Sequence, residues 1–135
     1  MSYESLSTAV QHDIAENLID QSEYLAAEGW TATDFRELLV DLIEPIKLST
    51  FDSPLGSLLK QAASRGVSDL AVNKLQVRLT ISGDLDPVIV DGERLIDGRH
   101  RVEAYARAGR ATIPAVDIGP LLRIDWERWT NGGVQ

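Results

Sequence analysis

Three basic residues, Arg99, His100 and Arg101, follow one another directly after an Asp97-Gly98 dipeptide. The next residues have apolar side chains at helical spacing, so the dipeptide predicts a turn that leads into a helix. Cations are unfavourable at a helix N-terminus, which has free N–H groups and a partial positive charge. Free N–H groups, two guanidinium groups and an imidazole instead suit an anion such as phosphate. The sequence therefore predicts phosphate or nucleotide binding by Gly98, Arg99, His100 and Arg101.

The same residues also have a purely structural interpretation, which the sequence leaves open. Both arginines could form surface ion pairs, and the imidazole could be a solvated or buried polar group. The carboxylates near them in the chain are Asp91, Glu93 and Glu103.

If the site is catalytic, phosphoryl transfer is the chemistry that these residue types fit. That reaction depends on positioning, on charge neutralisation and usually on a metal held by carboxylates. The candidate catalytic residues are His100, as an acid or base near neutral pH, together with Asp97 and Glu103. Glu103 lies one helical turn from Arg99 and is the candidate Mg²⁺ ligand. Two further carboxylates, Asp91 and Glu44, could approach the site, and each carboxylate could equally be a cap or a solvated residue.

The order of motifs over residues 70–118 resembles the ParB/sulfiredoxin-like superfamily. The matching segments are Pro87 to Val90, Asp91-Gly92, Leu95 to Arg101, Ala104, Gly109 and Thr112 to Val116. The superfamily includes ParB N-terminal domains, sulfiredoxins, free serine kinases and small nucleases or nucleotide hydrolases. The resemblance implies an α+β fold with a small mixed sheet and flanking helices. It also implies a nucleoside di- or triphosphate as the ligand, with Mg²⁺ as a candidate cofactor.

The sequence departs from the sulfiredoxin motif and from the ParB motif, and these departures limit which members of the superfamily the chain can resemble in function. In the sulfiredoxin loop Gly-Cys-His-Arg, the phosphate contacts correspond to Gly98, His100 and Arg101, whereas Arg99 replaces the nucleophilic cysteine. The chain contains no cysteine at all, which excludes sulfiredoxin activity.

The ParB motif Gly-Glu-Arg-Arg-x-Arg-Ala is matched only at Gly98, Arg101 and Ala104. Its other charged positions differ, including Glu103 in place of the last arginine, and no helix-turn-helix segment follows. The resemblance is therefore closest to stand-alone members with an Asp-Gly-x-His-Arg motif, which include the free serine kinases.

Length and composition set further limits. The 135 residues predict one domain, and the absence of cysteine excludes disulfides, zinc-thiolate sites and thiol catalysis. No signal peptide or long apolar run is seen, which predicts a cytoplasmic protein without a membrane segment. The net charge of -8 disfavours duplex DNA as a partner, because binding to a phosphate backbone depends on Lys and Arg.

The predicted domain has a helical hairpin extension over 1–44, a core over 46–118 and a C-terminal segment over 119–135. The hairpin consists of one helix over 5–28 and a second that Thr31 caps and Pro45 ends. Its apolar stripes predict packing, with residues 5–44 also a candidate surface for a protein partner or a homodimer.

Within the predicted core, a short strand over 46–50 precedes a helix capped by Ser53-Pro54. Residues 68–83 alternate like a strand but also fit a helix, and the resemblance favours the helix. The last elements predicted are a hairpin over 88–96 with its turn at Asp91-Gly92, a strand over 113–118, a short helix or strand over 121–129 and a frayed end over 130–135.

Three functions are compatible with the sequence. The first is a nucleotide hydrolase or small-molecule phosphotransferase with phosphates bound at residues 98–101. The second is a nuclease that acts on DNA or RNA, which would need a basic groove. The third is a non-catalytic protein-interaction or regulatory module.

Overall fold

The computed structural model describes residues 3–41 and 48–130. These residues form an α+β structure, as the sequence predicts. The helices are α1 (Thr8–Gln21), α2 (Glu23–Ala27), α3 (Ala32–Val40), α4 (Leu55–Arg65), α5 (Asp69–Ser82), α6 (Arg99–Arg107), α7 (Gly119–Leu122) and α8 (Trp126–Thr130). The strands are β1 (Ser49–Pro54), β2 (Val88–Asp91), β3 (Arg94–Asp97) and β4 (Thr112–Asp117).

The chain divides into two compact units. Met1–Leu48 and Ile118–Gln135 form one, which we call the helical unit, and Ser49–Asp117 form the other, which we call the sheet unit. Each unit is described separately below. In the described part of the chain, no helix has both the length and the apolar composition needed to cross a bilayer.

The sheet unit contains a mixed four-stranded sheet in the order β1-β4-β2-β3. β4 is antiparallel to β1 and parallel to β2, whereas β2 and β3 form the predicted hairpin. Gly92 in its turn has a φ of 60°, which favours glycine. The hairpin leads directly into α6, so the sheet determines where the basic residues lie.

The core of the sheet unit lies between the sheet and helices α4, α5 and α6. Its buried residues include Val88, Val90, Leu95, Ile113 and Ala115 from the strands, with Leu58, Ala62, Leu79, Val102 and Tyr105 from the helices.

Burial of the Tyr105 ring raises the pKa of its phenol above the ordinary value. The hydroxyl accepts a hydrogen bond from the Leu85 amide at 2.9 Å and donates one to Asp84 Oδ1 at 3.2 Å.

Residues 69–82 are helical, which confirms the interpretation that the resemblance favoured. The Ser68 hydroxyl caps α5 by accepting a hydrogen bond from the Ala71 amide at 3.3 Å. Gly83 ends the helix with a φ of 85°. Alternating apolar residues are therefore on different faces of one helix.

The start of α4 differs from the prediction. β1 continues through Pro54, which pairs with Thr112 of β4, and α4 begins at Leu55 without a side-chain cap. The Leu55 amide donates to Ala111 O at 3.2 Å, so pairing with a distant strand holds this segment extended. The strand predicted over 46–50 thus begins at Ser49 and ends later, and its residues 46 and 47 lie outside the described residues.

Strand β3 lies at the edge of the sheet, and side chains of α4 bond to its backbone. The Leu95 amide donates to Gln61 Oε1 at 2.7 Å, and Gln61 Nε2 donates to Glu93 O at 2.8 Å. Arg65 donates to the carbonyls of Leu95 and Ile96. These bonds satisfy edge groups that would otherwise need water or another strand.

In the helical unit, the single helix predicted over 5–28 is wrong, because Ser22 breaks it. Ser22 is extended, with a φ of -114° and a ψ of 112°. Its hydroxyl accepts a hydrogen bond from the Leu25 amide at 3.2 Å and so caps α2. A serine competes well for local backbone groups, and this cap outweighs the apolar periodicity that runs past it.

The second predicted helix is confirmed as α3, with Thr31 as its N-cap and the Asp34 amide donating to the Thr31 hydroxyl at 3.1 Å. Helix α3 ends at Val40 with Asp41 as its C-cap, which is earlier than the predicted end at Pro45, and Pro45 itself lies outside the described residues. The segment predicted as a helix or strand over 121–129 forms the short helices α7 and α8. The predicted frayed end is wrong at Thr130, which is the last residue of α8 and donates to Trp126 O at 2.7 Å, and its residues 131–135 lie outside the described residues.

A buried glutamine joins the first residues of the helical unit to α1 and α3. Gln11 Nε2 lies within 3.1–3.2 Å of the carbonyl oxygens of Tyr3, Glu4 and Leu6. Arg36 donates to Gln11 Oε1 at 2.9 Å, and the Tyr3 hydroxyl donates to Gln11 O at 2.6 Å. Burial raises the pKa of Tyr3 far above its ordinary value, because the charged phenolate would lose its water.

Candidate functional site

The turn before α6 has a backbone that requires glycine. Gly98 is buried with a φ of 113°, a left-handed conformation that side chains rarely adopt. A Cβ placed on Gly98 would lie 2.6 Å from Val88 Cγ1. The Val102 amide donates to Gly98 O at 3.0 Å and closes the first helical turn. The predicted turn into a helix is therefore present. Because Gly98 has no side chain, the backbone of this turn can lie close to Val88 of β2.

Arg101 lies mostly inside this structure, with a side chain only 14% exposed. Its Nη1 donates to Pro87 O at 2.8 Å and to Asp86 O at 3.2 Å. Its Nη2 lies 4.0 Å from Asp97 Oδ2. Arg101 thus binds the backbone before β2 to the start of α6, which is a structural task in itself.

His100 and Arg99 contact the connection between α4 and α5. The Ser68 amide donates to His100 Nε2 at 3.1 Å, so the proton of the neutral imidazole lies on Nδ1. Arg99 Nε donates to Gly66 O at 2.9 Å. Among the described residues, the two terminal guanidinium nitrogens of Arg99 have no other partner. Arg99 is also exposed, which leaves those two nitrogens able to bind a ligand.

The four residues predicted to bind phosphate are thus held in a fixed turn by their own hydrogen bonds. The first three amides of a helix have no acceptor within the helix, and here they belong to Arg99, His100 and Arg101. These amides, the His100 Nδ1 proton and the Arg99 guanidinium are all donors. These donors are chemically suited to an anion.

Glu103, predicted as a catalytic and Mg²⁺-binding residue, has another partner. Arg107 Nε donates to Glu103 Oε1 at 3.0 Å, and Arg107 Nη2 donates to Asp69 Oδ1 at 2.9 Å. The hydrogen bond to Asp69 raises the pKa of the Arg107 guanidinium most, and the hydrogen bond to Glu103 is the next largest cause of the increase. The Glu103 carboxylate therefore joins α6 to the start of α5 through Arg107.

The other predicted carboxylates differ in position. The side chain of Asp97 is 46% exposed and lies at the turn beside Arg101. Asp91 accepts a hydrogen bond from Arg94 at 3.3 Å, and Glu44 lies outside the described residues. The described residues contain one group of three His, Asp or Glu side chains whose ligand atoms lie within 4.8 Å, namely His12, Asp13 and Glu16 on α1. Asp97 and Glu103 do not belong to such a group.

No pattern in the sequence indicates the backbone partners of Arg99 and His100. Gly66 and Ser68 lie more than 30 positions before the residues that they bind, and their contribution is a carbonyl and an amide, which every residue has. The sequence also does not indicate that Arg65 bonds to the backbone of β3. A basic residue in the last turn of a helix already has a simple explanation, because it is favourable for the helix itself. Only the fold brings these groups to the start of α6.

Charge is divided unequally between the two units. The sheet unit contains nine Lys or Arg and nine Asp or Glu, so its formal charge is zero. The helical unit contains 4 basic and 12 acidic residues, so it contributes the whole net charge of -8. An anion at the start of α6 is therefore not opposed by the charge of its own unit.

Comparison with protein-family models, curated proteins and solved structures finds no match for this chain.

Proposed function

We propose that the sheet unit is a ParB/sulfiredoxin-like domain that binds the phosphates of a nucleoside di- or triphosphate, or of a phosphorylated small molecule, in the cytoplasm. The observation that best supports this proposal is the turn at Gly98. It combines helix N-terminal amides, the exposed Arg99 guanidinium and the Nδ1 proton of His100 within four consecutive residues.

The energetics favour an anion over an empty turn. A cation beside a helix N-terminus is destabilising by about 0.3–1 kcal/mol, and a bound phosphate would reverse the sign of that interaction. Each charge-assisted hydrogen bond to the phosphate contributes about 1.5–3 kcal/mol. The bonds from Arg99, His100 and Arg101 to the backbone hold the turn in place beforehand, so little ordering is needed on binding.

Catalysis is a second step of the proposal, either nucleotide hydrolysis or transfer to a small molecule. Asp97 suits a role as base or metal ligand better than Glu103, because its side chain is 46% exposed and that of Glu103 is 22% exposed. His100 would act through Nδ1, since Nε2 accepts the Ser68 amide. A nuclease is less well supported, because the sheet unit has equal numbers of basic and acidic residues and so no net positive charge to attract a phosphate backbone.

The test is a thermal-shift panel of ATP, ADP, CTP, GTP and pyrophosphate with and without Mg²⁺. A ligand at about 100 times its dissociation constant should stabilise the protein by about 2.7 kcal/mol. We expect Arg99→Ala to reduce the shift and Arg94→Ala to preserve it. Arg94 is a matched control because it is an exposed arginine at the other end of β3, paired with Asp91.

Absence of a shift with every compound, or an equal reduction in both variants, would contradict phosphate binding at this turn. Arg101→Ala is not the variant to use first. Its loss would leave the Asp86 and Pro87 carbonyls without their donor and so lower stability independently of any ligand.

A further inference from the structure

We propose that the outer face of α5 is a docking surface for an acidic amphipathic helix of a partner protein. Leu70, Val77 and Ile81 are 66%, 59% and 81% exposed on this helix. They follow one another at intervals of seven and four residues, which places them along one face. We call these three side chains the α5 stripe.

The α5 stripe explains why this segment resembles a strand in the sequence. Val72 and Leu79 are buried against the core of the sheet unit, and Leu75 packs beside them. Apolar residues therefore occupy two faces of α5, and the sheet unit covers one of them. A single exposed leucine is ordinary, but three large, exposed aliphatic side chains along one helical face are typical of an interaction site.

The spacing of the α5 stripe indicates what shape of partner fits it. Two helices pack through side chains that recur at intervals of three, four and seven residues, and the α5 stripe has intervals of seven and four. With 14 residues, α5 presents nearly four turns, which is enough length to pair with one amphipathic helix.

Charge distinguishes between the candidate occupants. Lys74 and Arg78 are exposed beside the α5 stripe, while Asp69, the one acidic residue of α5, is paired with Arg107. A second copy docking through the same stripe would bring its own Lys74 and Arg78 against these two cations. A helix that has glutamate or aspartate beside its apolar residues would instead match them. The surface therefore favours an acidic partner over self-association.

The experiment uses the full chain and two fluorescein-labelled helical peptides with the same leucine and isoleucine stripe. One peptide has glutamates beside the stripe and the other has lysines. By fluorescence anisotropy we expect the glutamate peptide to bind at least about tenfold more tightly. Ile81→Gln should weaken its binding about tenfold. Phe51→Gln is the matched control, because Phe51 is an exposed apolar residue of the same unit that lies on β1.

The charge-reversed variant with Lys74→Glu and Arg78→Glu should invert the preference, so that the lysine peptide binds more tightly. Equal binding of the two peptides, or an equal loss in Phe51→Gln, would overturn the proposal. It would also be overturned if sedimentation showed a dimer that Ile81→Gln dissociates, because the occupant would then be a second copy. None of these readouts depends on phosphate binding.

Discussion

In the helical unit and in the sheet unit, side chains bond to backbone groups over different sequence distances. In the helical unit, Gln11 binds carbonyl groups of Tyr3, Glu4 and Leu6, at most eight residues away. In the sheet unit, Arg99 and His100 bind backbone groups 32 or 33 residues away. In the sheet unit Gln61 also bonds to backbone groups 32 and 34 residues away, so what differs between the two units is the sequence distance that the side chains span.

A structural role and a binding role can share the same residue when its side chain has more donors than the structural role uses. A glutamine whose donors and acceptor are all bonded has no capacity left for a ligand. A guanidinium has five N–H donors, so Arg99 can bond to Gly66 and still offer its terminal nitrogens. The basic residues of α6 can therefore have a structural role and a binding role at the same time. The sequence alone left these two roles open as alternatives.

The largest effect is expected at the turn of the sheet unit. Gly98→Ala should lower the free energy of unfolding by about 2–4 kcal/mol, because of the positive φ and the close approach to Val88. Gly109→Ala is the control, since it has a φ of 76° but nothing within 4 Å of the added methyl, and about 1 kcal/mol is expected. Urea unfolding followed by far-UV circular dichroism measures both. Equal losses would show that the contact with Val88 does not matter.

In the helical unit, Gln11→Leu should be next in size. The substitution removes the donor to three carbonyls and the acceptor for Arg36, and we expect a loss of about 2–3 kcal/mol. Gln21→Leu changes an exposed glutamine of the same helix and should stay within about 0.5 kcal/mol of wild type. If urea unfolding gave the two variants the same stability, Gln11 would not organise this unit.

Tyr3→Phe should have the smallest effect at neutral pH, about 1 kcal/mol, from the lost bond to Gln11 O. Its larger consequence is at alkaline pH. The pKa of Tyr3 is raised above its unfolded value of 10.0, so its contribution is complete below pH 10 and falls as the pH rises toward the folded pKa. One such group lowers stability by about 1.4 kcal/mol per pH unit in that range.

Urea unfolding between pH 9 and 12 tests this assignment. The wild-type protein should lose stability more steeply than Tyr3→Phe above pH 10. Tyr105, whose pKa is also raised by burial, should preserve part of the slope in the variant. If the stability of both proteins fell equally steeply with pH, the pKa of Tyr3 would be the same in the folded and unfolded states, and the assignment would be wrong.

Features set by neighbouring residues could be predicted from the sequence. The Asp91-Gly92 hairpin, the Thr31 cap and the helix after Gly98 all follow from residues within one or two turns of one another. The start of α4 could not be predicted, because Pro54 is extended by pairing with Thr112, which is 58 positions later. For the same reason, residue types alone predicted an anion site at residues 98–101 but not the backbone groups that hold its side chains.

The bonds from Gln61 and Arg65 to β3 affect what the sheet can do in a crowded solution. An edge strand with unpaired amides and carbonyls is a template on which another chain can add a strand, and such growth leads to aggregation. Here the Leu95 amide and the carbonyls of Glu93, Leu95 and Ile96 are already bonded to side chains of α4. A fifth strand would have to displace those side chains before it could pair. Helix α4 thus protects this edge of the sheet against intermolecular strand addition.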